Sequence, residues 1–502
     1  MGTSPATEAA APSSSRSKRI RAIADRSWKM LIGGELRSGR AGQSIPVVHP
    51  GDGTQVGRFP AGDAADVDDA VAAAVVAGAA WARTAAAERG RMLVELADAV
   101  ERNGEELAWI DTVDNGSPIT VMRNDYVVAA AQLRYFAGLA LQVRGETIPV
   151  SARSALDFTL RDPFGVVGRL VPFNHPLMFA ASRIAAPLLA GNTVVLKPSE
   201  QTSLSALRLG EIALEIFPPG VLNVVSGTGE GVGDPLVAHP DVPRIAFTGS
   251  ETVGKRILGR AAESGIKAVT LELGGKNPMI VFADADFDTA VNGAVAGMNF
   301  RWQGQSCGST SRLFVHRSIY RRFVDALADC MRSLTIGDPT LESTNVGPVV
   351  SLSQYNRVRE FIDAGIHDPV LELVTGGEEL NRPGFFIPPT LFSAPGGAAG
   401  RLFAEEIFGP VLVAAPFDDY DEAIRQANSL PLGLTASVWT TDLHTALASA
   451  RDIQTGYLWV NWSSEHIPGS SFGGVKNSGI GREESIGEIE SYTQPKNVYI
   501  RF

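Results

Sequence analysis

The side chain in this sequence best suited to attack a carbonyl carbon is cysteine, whose thiolate is a strong nucleophile and whose acyl derivative is a good carrier. There are two cysteines. Cys330 shares an apolar stripe with Ile319, Phe323 and Leu327 at helical spacing, and reads as a core residue. Cys307 lies instead in a small polar loop, Gly304-Gln-Ser-Cys-Gly-Ser-Thr-Ser-Arg312, ahead of an apolar strand at 313–315, and is a candidate nucleophile. Glu272 is the matching candidate base. In Val269-Thr-Leu-Glu-Leu-Gly-Gly275 the two-residue period puts it on the opposite face from Val269, Leu271 and Leu273, just before a glycine pair where a ligand can come close. A cation and a carboxylate three apart, Lys197 and Glu200, suit ribose hydroxyls. Phe247-Thr-Gly-Ser-Glu-Thr-Val-Gly254 runs from a strand into a helix, whose first N–H groups suit an anion. Each feature alone also fits a plainer role: a solvated loop, an edge charge, a glycine turn.

These groups need a scaffold that brings strand ends together. From residue 191 onward, strands and helices alternate: strands at 193–196, 221–225, 244–247 and 269–273, helices at 204–216, 234–238 and 252–262. Such alternation builds an α/β fold with a parallel sheet, whose ligands sit outside the carboxyl ends of the strands. Upstream, Leu93, Leu96, Ala97, Val100 and Leu107 mark an amphipathic helix. Residues 1–26 are small, polar and basic and read as a flexible tail.

Composition narrows the class. The chain has 502 residues, 44% apolar and 20% charged, with a net charge of −11, which argues against nucleic acid and anionic lipid as partners. Two cysteines cannot build a disulfide framework, so a reducing, cytoplasmic setting is expected. No uncharged apolar run approaches a membrane span of roughly 18 residues. A nucleotide hydrolase at the stretch from Gly249 to Lys255 is weakened by Arg256, which stands where a magnesium-binding hydroxyl is needed. Asp284, Asp286 and Asp288 imitate the start of a calcium loop, but Thr289 and Val295 occupy the positions that need Gly and Glu, so no metal is expected.

Taken in order, PFGVVGRLVPFNHP (163–176), KPSE, FTGS, ELGGK (272–276), GQSC, EEIFGPV (405–411), SFGGVKNSGIGRE (471–483) and YTQPK (492–496) resemble the NAD(P)-dependent, non-acylating aldehyde dehydrogenases from about residue 28 onward. The resemblance implies an α/β fold with a Rossmann-type cofactor domain (27–141 and 161–273), a catalytic domain (274–477) and a small bridging β-sheet (142–160 and 478–502). It implies that Cys307 attacks an aldehyde, Asn174 and the Cys307 backbone N–H hold the oxyanion, Glu272 activates water against a thioester, and Glu483 assists proton relay. Lys197 and Glu200 would bind the adenosine ribose, Ser250 the pyrophosphate, and Glu406 the nicotinamide ribose beside Phe408. Pro172, Ser199, Phe247, Gly249, Gly254 and Leu273 complete the implied cofactor set. Glu200 favours NAD, with NADP possible through Lys197.

Phe179, Phe300, Trp302, Trp462, His466 and Ile467 are the candidate pocket wall, suited to an apolar or aromatic aldehyde. Four positions depart from the family pattern. Phe173 stands for Trp, Ser471 for Pro and Arg183 for a lysine, and the interval from Glu272 to Cys307 is one residue longer, near 299–303. A CoA-acylating dehydrogenase is the near alternative, with Glu272 speaking against it. A bridging sheet with an open edge implies a homodimer or homotetramer.

Overall fold

The computed structural model describes residues 13–151 and 153–502. Its larger sheet has eight strands in the order Glu35–Arg37, Met30–Ile32, Leu222–Val224, Thr193–Lys197, Val166–Leu170, Arg244–Thr248, Ala268–Glu272 and Gly479–Ile480. The five strands from Leu222–Val224 to Ala268–Glu272 are parallel. Four of them, Val166–Leu170, Thr193–Lys197, Leu222–Val224 and Arg244–Thr248, are buried along their whole length, as strands of a parallel sheet covered on both faces are, and buried polar residues such as Arg169 and Arg244 sit among their apolar ones. Chain order runs outward in both directions from Val166–Leu170, so the sheet reverses between that strand and Arg244–Thr248. A crevice opens at such a reversal, outside the carboxyl ends.

The second sheet has seven strands in the order Glu372–Thr375, Thr390–Ser393, Val411–Phe417, Arg312–His316, Pro278–Val281, Thr435–Trp439 and Tyr457–Val460, all parallel except the first pair. A three-stranded antiparallel sheet joins Thr493–Arg501 to Ala155–Pro163 over nine residue pairs, with Thr147–Ile148 on its far side.

Four local expectations differ. Ser13–Ala24, inside the stretch read as a flexible tail, is a helix, and its chain continues into buried Ile23 and Trp28, with Arg26 paired to Glu106 and Glu211. Residues 1–12 of that stretch lie outside the described residues. Charge pairing and two buried apolar side chains pin a sequence whose composition alone gave no reason to order. The helix expected at 204–216 ends at Ala213, and Cys330 is only half-buried at the rim of its apolar cluster. Gly479–Ile480, from the segment assigned to bridging, pairs with Leu271 and Glu272 and so edges the larger sheet. Such a short pairing, made across two hundred residues, leaves no local signal.

Candidate active site

The elements above converge on two cavities. The first, about 850 Å³, runs along the carboxyl ends of the larger sheet, and the second, about 700 Å³, opens between the helices and the seven-stranded sheet. Asn174, Phe179, Thr248, Glu272 and Cys307 line both. The expected nucleophile, base and oxyanion donor therefore stand where the two spaces meet.

Each arrives there from a different element. Glu272 ends the strand Ala268–Glu272, and Asn174 follows Val166–Leu170 just before the helix Pro176–Ser182. Cys307 sits on the loop before Arg312–His316, and Asn277 pins that loop. Its amide donates to the carbonyls of Cys307 at 2.7 Å and Ser309 at 2.9 Å, and its Oδ1 accepts from Thr435 N–H at 3.0 Å. Asn277 was not foreseen; its place immediately after the glycine pair and Lys276 was the available clue.

Electrostatics of the junction are set by burial. Both Glu272 oxygens and Asn174 Oδ1 lack hydrogen-bond partners, an arrangement costly in a closed core and suited to a space that receives a ligand. Burial first, then the nearby Glu483 carboxylate, raises the Glu272 pKa well above the usual range. Burial, then Glu406 and Glu272, pushes the Cys307 thiol up to about 12. Glu483 is the opposite case. Arg169 at 2.7 Å and Arg183 at 3.1 Å flank it and hold its pKa down against burial. Arg183 also pairs with Glu484 at 2.8 Å, and Glu484 with His466 at 3.1 Å.

The first cavity tests well as a dinucleotide site. Pro172, Lys197, Ser199, Glu200, Phe247, Gly249, Ser250, Glu406 and Phe408 all line it. Ser250 caps Glu251–Ser264, accepting from Val253 N–H at 3.4 Å, and the free N–H groups of that first turn suit a phosphate. Lys197 Nζ is buried against Pro198 O at 2.8 Å and lies 3.5 Å from Glu200. At the other end, Gly275 N–H donates to Glu406 at 3.2 Å, burial raises that carboxyl to about 7, and a Cβ on Gly274 would collide with it. Phe408 is held at a φ of +59° by Gln354 Nε2, which donates to its carbonyl at 2.7 Å, and it meets Phe173 edge to face at 5.5 Å.

Two expected members do not line the cavity. Gly254 is a packing glycine, since a Cβ there would press on Leu273 at 2.7 Å, and Leu273 is the buried partner in that contact. The π-helical turn Gly229–Gly233, capped by Thr228, was missed: Thr228, Gly229, Glu230 and Gly233 line the cavity, and the alternating glycines at 227, 229, 231 and 233 were a readable signal of close backbone approach. The hydrolase reading fails on geometry. Lys255 is exposed, pairs with Glu251 at 2.6 Å and does not reach the cavity. Asp284 accepts from Thr440, Thr441 and Asp442, and Asp286 caps the helix Phe287–Gly297, so both are structural.

Phe179, Phe300, Trp302, Trp462 and His466 line the second cavity, as does Glu483. Ile467 does not; it is exposed on the surface beside the mouth. Trp459, Phe472, Met178 and Val128 also belong to the apolar wall; Val128 comes from the distant helix Ile119–Gly138, whereas Met178 adjoins Phe179 on the same helix and was within reach of sequence reading. The longer interval before Cys307 forms one 3₁₀ turn, Phe300–Trp302, bracketed by Asn299 at a φ of +55° and Gln303 at +56°.

The sequence pattern of the aldehyde dehydrogenase family matches residues 37–498. Among curated proteins, the phenylacetaldehyde dehydrogenase of Pseudomonas fluorescens is 43% identical over 484 residues, spanning 94% of this chain and 96% of that protein. A cysteine-to-alanine mutant of the P. syringae indole-3-acetaldehyde dehydrogenase AldA, solved with NAD+ and IAA, superposes with a TM-score of 0.94 at 37% identity, covering 97% of this chain and 99% of that one. The NAD+ complex of a Bacillus cereus aldehyde dehydrogenase gives a TM-score of 0.93 at 38% identity over 96% of this chain and 98% of that one.

Proposed function

The chain belongs to the aldehyde dehydrogenase family and is an NAD(P)-dependent oxidoreductase that converts an aldehyde to its acid; from that premise we propose which residues carry the reaction and what they act on. The observation that carries the assignment is the meeting of a dinucleotide-sized cavity and an aromatic cavity at Cys307, Glu272 and Asn174.

Cys307 Sγ, as thiolate, adds to the aldehyde carbon and makes a tetrahedral alkoxide. The Asn174 amide and the Cys307 N–H hold that oxygen; such donors, already placed, act where the charge develops. Lys197 and Glu200 would hold the adenosine ribose, Ser250 the pyrophosphate and Glu406, beside Phe408, the nicotinamide ribose. A dinucleotide held by these residues would supply the acceptor for the hydride that leaves the adduct. The acyl group then rests on Cys307 as a thioester. Glu272, once ionised, takes a proton from water so that the oxygen attacks the acyl carbon, releasing the acid and the thiol. Glu483, held ionised by Arg169 and Arg183, raises the proton affinity of Glu272 through its negative charge and so favours uptake of the water proton there. A carboxylate at the junction supports water over CoA as the acyl acceptor.

The aromatic lining of the second cavity supports an apolar or aromatic aldehyde, in line with the names of the relatives above. Glu200 at the ribose end supports NAD over NADP, which a comparison of kcat/KM for the two cofactors tests. A three-part division into cofactor, catalytic and bridging units is supported by the three main sheets, with Gly479–Ile480 joining the cofactor sheet rather than the bridging one. The open edges of the three-stranded sheet, with exposed Tyr499, Ile500 and Leu160, support a homodimer or homotetramer, and a monomer by light scattering would contradict it. A cytoplasmic location is supported by the two cysteines, both free thiols, which suit a reducing compartment.

The decisive experiment pairs two variants. Cys307→Ala is expected to form no NADH from phenylacetaldehyde. Glu272→Gln is expected to reach an acylated state, seen as an added acyl mass on the Cys307 peptide, and to stall there. An active Cys307→Ala enzyme rules the mechanism out.

A further inference from the structure

One pair in the aromatic cavity has no part in the chemistry above. His175, next to Asn174 at the start of Pro176–Ser182, holds Asp125 of the helix Ile119–Gly138 at 2.9 Å through Nδ1. Asp125 is buried, and both residues line the second cavity. The imidazole is set among rings, with Trp302 at 5.0 Å and Phe179 at 5.6 Å, edge to face for the latter. A buried carboxylate opposite Nδ1 fixes the tautomer that carries its proton there, which leaves Nε2 as a hydrogen-bond acceptor. Two turns along the same helix, Gln132 lines the same cavity, and its buried Oε1 also lacks a partner. The aromatic cage thus contains a part-buried imidazole nitrogen that no protein group contacts and a buried amide oxygen without a partner, and a wholly apolar aldehyde would cover both while pairing neither.

The charge of the lining narrows the ligand. Asp125, Glu483 and Glu484 are buried carboxylates on this space, Arg183 is already committed to Glu483 and Glu484, and Glu465 and Arg301 are both exposed, so no buried cation is left to meet a second carboxylate. Such a cavity opposes an aldehyde that carries a second carboxylate. It suits a neutral ring bearing an O–H or N–H donor.

We propose that this cavity selects aryl aldehydes whose ring carries a hydrogen-bond donor, a phenolic hydroxyl or an indole-type N–H, which His175 Nε2 accepts while Asp125 holds the imidazole in place. The inference rests on reading the second cavity as the aldehyde site and adds the polar half of its specificity. His175 is a specificity residue and Asp125 a positioning residue acting through it.

The test is a ratio of kcat/KM values within each enzyme, so that a general loss of activity cancels. Substrates are phenylacetaldehyde, its 2-, 3- and 4-hydroxy forms, the matching methoxy forms, and indole-3-acetaldehyde with its N-methyl analogue. The intact enzyme is expected to prefer at least one donor-bearing substrate over its methylated partner by about tenfold or more. That ratio should fall to near one in His175→Phe, fall partly in Asp125→Asn, and persist in His175→Gln, whose amide can still accept. Equal rates for every donor-bearing and methylated pair in the intact enzyme overturn the proposal without any variant, as does a preference that survives His175→Phe. Oxidation of propanal with none of the aryl aldehydes touched would instead sink the aromatic-aldehyde reading along with it.

Discussion

At the junction, the thiol and the carboxyl that must lose protons are both held back by burial and by like charge. The sign is the same for both: activity needs the ionised forms, so turnover should climb with pH above neutrality. Glu483 contributes to that restraint on Glu272. Replacing it with Gln removes a negative neighbour while leaving Arg169 and Arg183, so the acid limb of the kcat profile should move to lower pH. An unmoved or upward-shifted limb would refute the coupling. In the cofactor-free enzyme, Glu406→Gln takes away the largest electrostatic restraint on Cys307, and alkylation by iodoacetamide at mildly alkaline pH should accelerate several-fold. Asn174→Ala should cost roughly 100-fold to 1,000-fold in kcat, with substrate affinity less affected, measured by steady-state kinetics. Glu272 was legible at its strand end and Cys307 in its polar loop, while Asn174 was legible only through the family resemblance. Asn277 and His175 were not, since their roles exist only once distant elements meet.

Individual elements hold these side chains with little slack. The carboxylate of Glu406 occupies the space a side chain on Gly274 would need, so Gly274→Ala should displace Glu406 and raise the apparent KM for NAD without removing the thiol's reactivity toward iodoacetamide. The turn at Phe300–Trp302 depends on two residues in the left-handed region. Asn tolerates that conformation and here also bonds Gly297 O at 3.2 Å and Ser309 Oγ at 3.3 Å, so Asn299→Ala should destabilise by about 1–2 kcal/mol in denaturant unfolding and loosen the aromatic wall. The parallel strands at 193–196, 221–225, 244–247 and 269–273 could be read from the sequence because each is a short, mostly apolar stretch alternating with a helical one. The helix at Ser13–Ala24 could not, because its order comes from Arg16, Arg19 and Arg26 reaching Asp338, Glu105 and Glu106 on other elements.

For the molecule as a whole, the buried ionic network joins early and late chain. Arg169 and Arg183 come from the cofactor side, and Glu483 and Glu484 from beyond the catalytic unit. Removing one partner of such a pair strands a buried charge, commonly costing about 3–5 kcal/mol, so Arg169→Met should lower the thermal midpoint clearly even with the active-site triad intact. Glu272 is itself affected by the same late segment, since its backbone pairs with Gly479. That two-residue strand has a consequence for biogenesis. While the chain is still emerging from the ribosome, the edge formed by Ala268–Glu272 waits unpaired for more than two hundred residues of further synthesis, a sticky border with no cover of its own. A nascent polypeptide of this kind should engage a chaperone during that interval, and its catalytic carboxylate is seated only when translation has nearly finished.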